Sequence, residues 1–171
     1  MRVLVLVFCV VFVSFFLVFS LHAQSPLQFE VKDFLDSGVG ELPFSEAANS
    51  HMADVLVLFS AARVIAALLV IILFSLVPFL DVFSLRLAGS FLVLVPVGLS
   101  LVSWGWLFEV FHLVLFPQGN WRFPADSLII QTYPQEFFVS FAIWWGLLCI
   151  LVGVCLVVFS SRLARVCSST A

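Results

Sequence analysis

The sequence predicts an all-α membrane protein: four transmembrane helices with a small extracytoplasmic cap, in one membrane domain over residues 1–171. Three observations carry that expectation. Hydrophobic residues make up 64% of the chain and charged residues 10%, against roughly 45–50% and about 25% in a soluble domain. Four apolar runs, at about residues 3–21, 55–80, 87–108 and 137–159, are each long enough to cross a bilayer. No polar-in, apolar-out alternation suits a transmembrane barrel, and backbone groups in hydrocarbon must be satisfied within their own segment, so the runs read as helices. Seven Lys plus Arg with a net charge of −3 cannot coat a phosphate backbone, which excludes a nucleic-acid partner.

The first run begins at Arg2 and ends near Leu21-His22-Ala23, features that a cleaved signal would also show. Its apolar stretch exceeds the usual 7–15 residues of a signal core, so a retained helix is expected. Basic residues then set the orientation. With the N-terminus inside, Arg2, Arg86, Arg162 and Arg165 are cytoplasmic, and Lys32 and Arg122 lie outside. Nine of the ten acids fall in the two outer segments, 22–54 and 109–136, while residues 81–86 make a tight inner turn. Cys9, Cys149 and Cys155 sit within helices and Cys167 in the cytoplasmic tail, so no outer disulfide and no cysteine nucleophile are expected.

The first outer segment has the marks of a short amphipathic helix. Ser25-Pro26 is a capping hydroxyl followed by proline at the first position. Leu27, Val31, Phe34 and Leu35 recur at helical spacing, and Ser37-Gly38 is a glycine stop. Its apolar side can rest on the membrane surface or on the other outer segment. Ser45 starts a second helix that runs on through His51. This helix is longer than a bilayer needs, which puts Arg63 near the outer boundary. There Arg63 either snorkels to the headgroups or points a cation at Glu109 or a lipid phosphate.

In the second outer segment Pro117-Gln118-Gly119-Asn120 signals a turn. Pro124, Asp126 and Ser127 precede a capped helical turn from Leu128 to Ile130, and Tyr133-Pro134 opens the last spanning helix. Trp104, Trp106, Phe108, Phe111, Phe116, Trp121, Phe123, Tyr133, Phe137 and Phe138 crowd this level. They fit an interfacial aromatic belt or, more sharply, an apolar cavity for lipid chains.

Two carboxylate–histidine pairs share this level. His51 and Asp54 are three apart on one helix face, and so are Glu109 and His112 at the outer end of the third spanning helix. A single interfacial histidine is commonly just a hydrogen-bonded, wet side chain. Two pairs at one level suggest proton transfer near neutral pH, with a carboxylate fixing the tautomer of an imidazole. Spacing alone leaves open which carboxylate serves which histidine. The competitor is a zinc site of His51, His112 and an acid, although no HExxH occurs and no cysteine lies nearby. Serine hydrolysis is weaker, because there is no GxSxG elbow and Ser127 reads as a cap.

These residues also carry a resemblance. His51-Met52-Ala53-Asp54-Val55, leading into an apolar helix, resembles the His-x-x-Asp-Val block of the bacterial lipoprotein intramolecular transacylases. Phe111-His112, Phe116, Asn120-Trp121, Asp126-Ser127-Leu128-Ile129, Tyr133-Pro134 and Phe137-Phe138 resemble the second block of that family in order and approximate spacing. The resemblance covers about residues 28–138 and implies an enzyme of the bacterial cytoplasmic membrane with its active site on the outer face. Its partners would be diacylglyceryl-modified lipoproteins and membrane lipid. One acyl chain would move from the glycerol sn-2 oxygen to the α-amine of the N-terminal cysteine, giving the lyso form with no cofactor and no metal.

By that resemblance His51 and His112 are catalytic. One would remove a proton from the amine and the other would stabilise the oxyanion or protonate the departing glycerol oxygen; His112 is the favoured base because Glu109 or Asp126 could orient it, although the two roles could be exchanged. Asp54, Glu109, Asn120, Trp121, Arg122, Asp126 and Tyr133 are the supporting or substrate-binding candidates. The bland alternatives are helix capping for Asp54 and Asp126, headgroup anchoring for Trp121 and turn completion for Asn120. The competing functions are a non-enzymatic small transporter subunit or assembly factor, and a metal-dependent lipid hydrolase.

Overall fold

A computed structural model describes residues 2–169. Among the described residues the chain forms seven α-helices and no strand: α1 (Arg2–His22), α2 (Pro26–Ser37), α3 (Glu46–Leu76), α4 (Val82–Leu99), α5 (Trp104–Leu115), α6 (Leu128–Thr132) and α7 (Gln135–Ser169). A 3₁₀ turn, Val77–Phe79, lies between α3 and α4. Among the described residues four stretches are long and apolar enough to cross a membrane: Arg2–Phe19, Glu46–Phe79, Val82–Leu99 and Leu128–Arg165.

Three boundaries differ from the sequence reading. The run at 87–108, expected as one helix, breaks after Leu99 and resumes at Trp104. Pro96, which cannot donate to the helical ladder, lies in the last turn of α4. There the chain tightens: the N–H of Ser100 reaches the Pro96 carbonyl at 3.0 Å, and that of Leu101 the Gly98 carbonyl at 3.2 Å. Glu109 and His112 therefore ride on the separate helix α5. The inner turn is also shorter than 81–86. Asp81 is already the cap of α4, its Oδ1 accepting from the Ser84 N–H at 2.7 Å, and Arg86 is helical. Finally, α7 continues well past residue 159.

By contact the chain divides into two compact units. One comprises residues 19–63 and 102–142; the other comprises residues up to 18, 64–101 and from 143 onward. The second unit exposes Leu68, Ile71 and Phe74 along one side of α3, apolar surface that suits hydrocarbon rather than water. Its helices meet through small groups. A Cβ on Gly89 would stand 2.6 Å from the Gly153 carbonyl oxygen, and one on Gly153 the same distance from that of Gly89. Such an approach of α4 and α7 needs glycine on both sides. The indole N–H of Trp145 donates to Ser14 Oγ at 2.9 Å, and buried Cys9 donates to the Leu69 carbonyl at 2.9 Å. The Arg2 guanidinium lies 3.7 Å from the Asp81 carboxylate, so the start of α1 meets the α3–α4 connection. The side chain of Cys167 lies outside the described residues.

The first unit carries the motifs. Ser25 caps α2 as its sequence predicts: Ser25 Oγ accepts from the Gln28 N–H at 3.2 Å, and Gln28 Oε1 accepts from the Ser25 N–H at 3.3 Å. Gln28 then spends its own amide on the Thr132 carbonyl at 2.8 Å, tying α2 to α6. Gly38 stops α2 at φ 72°, a left-handed conformation that suits glycine. The apolar side of α2 chooses protein: Val31 and Leu35 pack with Leu42, Phe44, Ala48, Met52 and Ile129 in one buried cluster.

Arg63 likewise turns away from Glu109. Its guanidinium donates to the Leu35 carbonyl and lies 3.0 Å from the Asp36 carboxylate. A cation there satisfies carbonyls that α2 leaves open at its C-terminus. Ser45 starts α3, accepting from the Ala48 N–H at 3.3 Å. Ser127 occupies the cap position of α6 without capping it, because its hydroxyl donates back to the Pro124 carbonyl at 2.7 Å.

Candidate functional site

Within the first unit, the second turn of α3 and the last turn of α5 bring two imidazoles together. The ring centroids of His51 and His112 are 6.1 Å apart, and both side chains are buried, with 7% and 8% of their surface exposed. Sixty-one positions separate them in the sequence, so tertiary packing makes the pair.

The surroundings are aromatic. Phe116, itself 3% exposed, touches both rings, at 4.7 Å from His51 and 5.6 Å from His112. Phe123 flanks His51 at 5.8 Å. His112 lies against Phe108 at 4.0 Å, Trp121 at 4.8 Å and Phe111 at 5.3 Å. The turn at 116–119 makes this possible. The Gly119 N–H closes on the Phe116 carbonyl at 3.1 Å, with Gly119 at φ 79°, and swings Asn120 and Trp121 back toward the helices.

The hydrogen bonds define one tautomer outright. His112 Nδ1 is 2.8 Å from the Phe108 carbonyl oxygen, which can only accept. Nδ1 therefore carries the proton, and in the neutral ring Nε2 is a bare lone pair. Burial pushes the His112 pKa below the ordinary 6.5, and the bond to Phe108 offsets part of that shift. At neutral pH His112 is an imidazole with a free basic nitrogen. The reading by resemblance offered Glu109 or Asp126 as the group that could orient it. Glu109 is exposed and pairs with Arg122 at 2.9 Å. Asp126 is exposed, and its backbone carbonyl accepts the Gln131 amide at 2.9 Å. A local i−4 carbonyl has taken the position that either carboxylate was expected to fill.

Asp54 faces the other segment. Its Oδ2 accepts from Asn120 Nδ2 and from Gln118 Nε2, each at 2.7 Å. The Asn120 amide also lies 3.5 Å from Ser50 Oγ. Arg122 stacks its guanidinium on Trp121 at 4.7 Å while holding Glu109, so a Glu109–Arg122–Trp121–His112 sequence of contacts runs from surface to buried ring.

The structure thus gathers His51, His112, Asp54, Asn120 and Trp121, and adds Arg122 and Glu109 at the exposed edge. Tyr133 stands apart in the packing around the α2–α3–α6 cluster, 5.0 Å from Phe137. Gln118 and the Phe108 carbonyl were missed. Gln118 was hidden in a turn read only for its proline and glycine, and a backbone carbonyl leaves no sequence signal. Among the described residues no three His, Cys, Asp or Glu side chains converge as a metal ligand set.

The fold and the site define a class: an all-helical membrane protein that buries a pair of imidazoles in an aromatic hollow. A family model described as "Lipoprotein intramolecular transacylase Lit" matches residues 21–138, and the chain belongs to that family. The match spans both histidine-bearing blocks. An uncharacterized protein of Aquifex aeolicus (strain VF5) is 26% identical over 130 residues, covering 74% of this chain; the match spans 60% of that protein's length. No solved structure matches the chain.

Proposed function

We propose that this protein is a lipoprotein intramolecular transacylase. It would move an acyl chain from the glycerol sn-2 oxygen of a diacylglyceryl lipoprotein to the α-amine of its N-terminal cysteine, leaving the lyso form. The observation that carries the reading is the convergence of His51 and His112, at 6.1 Å, inside an aromatic hollow of the family-matched region.

The chemistry balances without a further reactant. The amine nitrogen attacks the ester carbonyl carbon, and a tetrahedral oxyanion forms. The amine gives up a proton to an imidazole, the bond from acyl carbon to glycerol oxygen breaks, and that oxygen takes the proton. Amide and hydroxyl replace amine and ester at constant mass. The intermediate closes a medium ring through the thioether, which a free lipid forms poorly. Holding both ends in a confined apolar site recovers up to about 7–11 kcal/mol of such a barrier. Rings that bind acyl chain and glycerol while excluding water suit that task, and a bare imidazole nitrogen suits the proton transfer.

One imidazole takes the amine proton, and the other stabilises the oxyanion or protonates the departing glycerol oxygen. Asp54, Asn120, Trp121 and Arg122 support the pair, with Glu109 fixing Arg122; Asp126 and Tyr133 contribute through the fold of the segment. The reading keeps the orientation given by the arginines, with both termini cytoplasmic and the histidines on the outer face of a bacterial cytoplasmic membrane.

The test is mass spectrometry of lipoprotein N-terminal peptides from cells with and without the protein. The expected result is an acyl group on the cysteine nitrogen at unchanged total mass. His51→Ala and His112→Ala each remove an acid–base group and should lower conversion by about 10²–10⁴-fold. Unaltered N-termini in cells making the wild-type protein refute the proposal.

A further inference from the structure

We propose that Asn120 and Asp54 form a positioning dyad for His51, with the Asn120 carbonyl oxygen taking the proton on His51 Nδ1 and leaving Nε2 free for the reaction. The assignment rests on reading His51 and His112 as the catalytic pair.

The orientation of Asn120 is set from behind. Its Nδ2 lies 2.7 Å from Asp54 Oδ2, and an ionised carboxylate can only accept. The amide nitrogen therefore faces Asp54 and the carbonyl oxygen faces away from it. Gln118 donates to the same carboxylate oxygen at 2.7 Å, and Ser50 Oγ lies 3.5 Å from Asn120 Nδ2. Asp54 is thus held by two donors, and Asn120 is held by Asp54.

Two buried atoms then remain without a partner among the described residues beside the reacting rings: Asn120 Oδ1 and His51 Nδ1. One is an acceptor only. The other is a donor in one of the two neutral tautomers. Both face desolvation if left alone, and one hydrogen bond from His51 Nδ1 to Asn120 Oδ1 would satisfy both. Burial and the neighbouring His112 push the His51 pKa below the ordinary 6.5, and Asp54 and Asn120 offset part of that fall.

His112 reaches the same state by another route, its Nδ1 proton held by the Phe108 carbonyl at 2.8 Å. Both neutral rings then present a bare Nε2. They differ in what stands behind Nδ1. A neutral carbonyl backs His112, while an amide relayed to a carboxylate backs His51. The second arrangement favours the imidazolium that forms when a base takes a proton, so His51 is the ring that deprotonates the attacking amine. His112, bare at Nε2, can receive there the proton that His51 has taken from the amine and deliver it to the departing glycerol oxygen.

The test uses the full-length protein in nanodiscs, labelled with ¹⁵N-histidine, and reads two quantities. Long-range ¹⁵N–¹H couplings report the His51 tautomer, assigned against His51→Gln. Acyl migration on a synthetic diacylglyceryl lipopeptide reports kcat and KM. The wild type should show His51 protonated at Nδ1. Asn120→Ala should give a mixed tautomer and lower kcat up to about 10²-fold at near-constant KM. Asn120→Asp places two carboxylates together and should lose at least as much. The exchange Asp54→Asn with Asn120→Asp rebuilds donor and acceptor in reverse order and should recover most of the activity.

A wild-type His51 protonated at Nε2, or a tautomer unmoved in Asn120→Ala, overturns the dyad. So does an exchange variant as inactive as Asn120→Ala, because that points to the Asn120 amide donating to the oxyanion. If the wild type moves no acyl chain, the activity reading fails while the tautomer measurement still decides the dyad.

Discussion

Removing one of the two rings should change how the other takes up a proton. The centroids of His51 and His112 are 6.1 Å apart. Two unit charges at that separation repel by about 2.7 kcal/mol at an effective dielectric of about 20. Divided by about 1.36 kcal/mol per pKa unit, this is about two pH units. The wild-type pair should therefore titrate in two macroscopic steps, and the lower step should lie about two units below the midpoint which the same ring shows alone. The assay is ¹⁵N-histidine NMR across pH 4–9 on wild type, His51→Gln and His112→Gln in the same detergent. His22, whose Nε2 lies 2.8 Å from Ser140 Oγ, is assigned separately with His22→Gln. If each single variant titrates at the midpoints of the wild type, the rings do not feel each other and the convergence of α3 and α5 is wrong.

Other expectations follow from the packing. Gly153→Ala places a Cβ 2.6 Å from the Gly89 backbone oxygen and should destabilise the protein by about 1–3 kcal/mol. Gly98→Ala meets no atom within 4 Å and should leave the detergent melting temperature near that of wild type. Arg63→Gln removes the clamp on the end of α2, so amide exchange between Asp33 and Gly38 should speed up while that of α5 stays unchanged. Because burial holds the His112 pKa below 6.5, the unfolded chain binds that proton more readily than the folded one. Stability should then fall as pH drops through 6.5 toward the folded value and be unaffected by this group above 7. Thermal melts of wild type against His112→Gln isolate that contribution, and identical pH slopes would exclude it.

The parts of this molecule legible in the sequence are those whose physics is local. Ser25-Pro26 and Ser37-Gly38 bound α2 because a capping hydroxyl and a left-handed glycine act within a few residues of themselves. Long apolar runs mark spans because bilayer thickness is fixed. The break between α4 and α5 was missed because every residue across 87–108 is compatible with hydrocarbon, and only the position of Pro96 near the end of α4 hints that the ladder fails. The choice of partners was legible only in outline. Spacing set His51 and Asp54 on one face and Glu109 and His112 on another, since i and i+3 are neighbours, and left the partners open. Yet each carboxylate is claimed from the loop that follows α5: Asp54 by Gln118 and Asn120, Glu109 by Arg122. Opposite charges and amides from a distant segment compete with local neighbours, and composition does not say which wins.

That competition has a chemical consequence. Had Glu109 held the Nδ1 of His112, both rings would be backed by carboxylates and would compete for the same proton. With the Phe108 carbonyl in that place, no carboxylate backs His112, while burial disfavours the charge of both rings. In the proposed reaction such a ring stays neutral until the proton taken from the amine reaches its Nε2, and it gives that proton up as the glycerol oxygen leaves. In the proposed mechanism, one ring backed by a carboxylate relay and one backed only by backbone differ as base and proton donor through surroundings alone, although the two side chains are identical. Restoring a carboxylate behind His112 should therefore erase the difference between the rings and lower turnover, even with both imidazoles still in place.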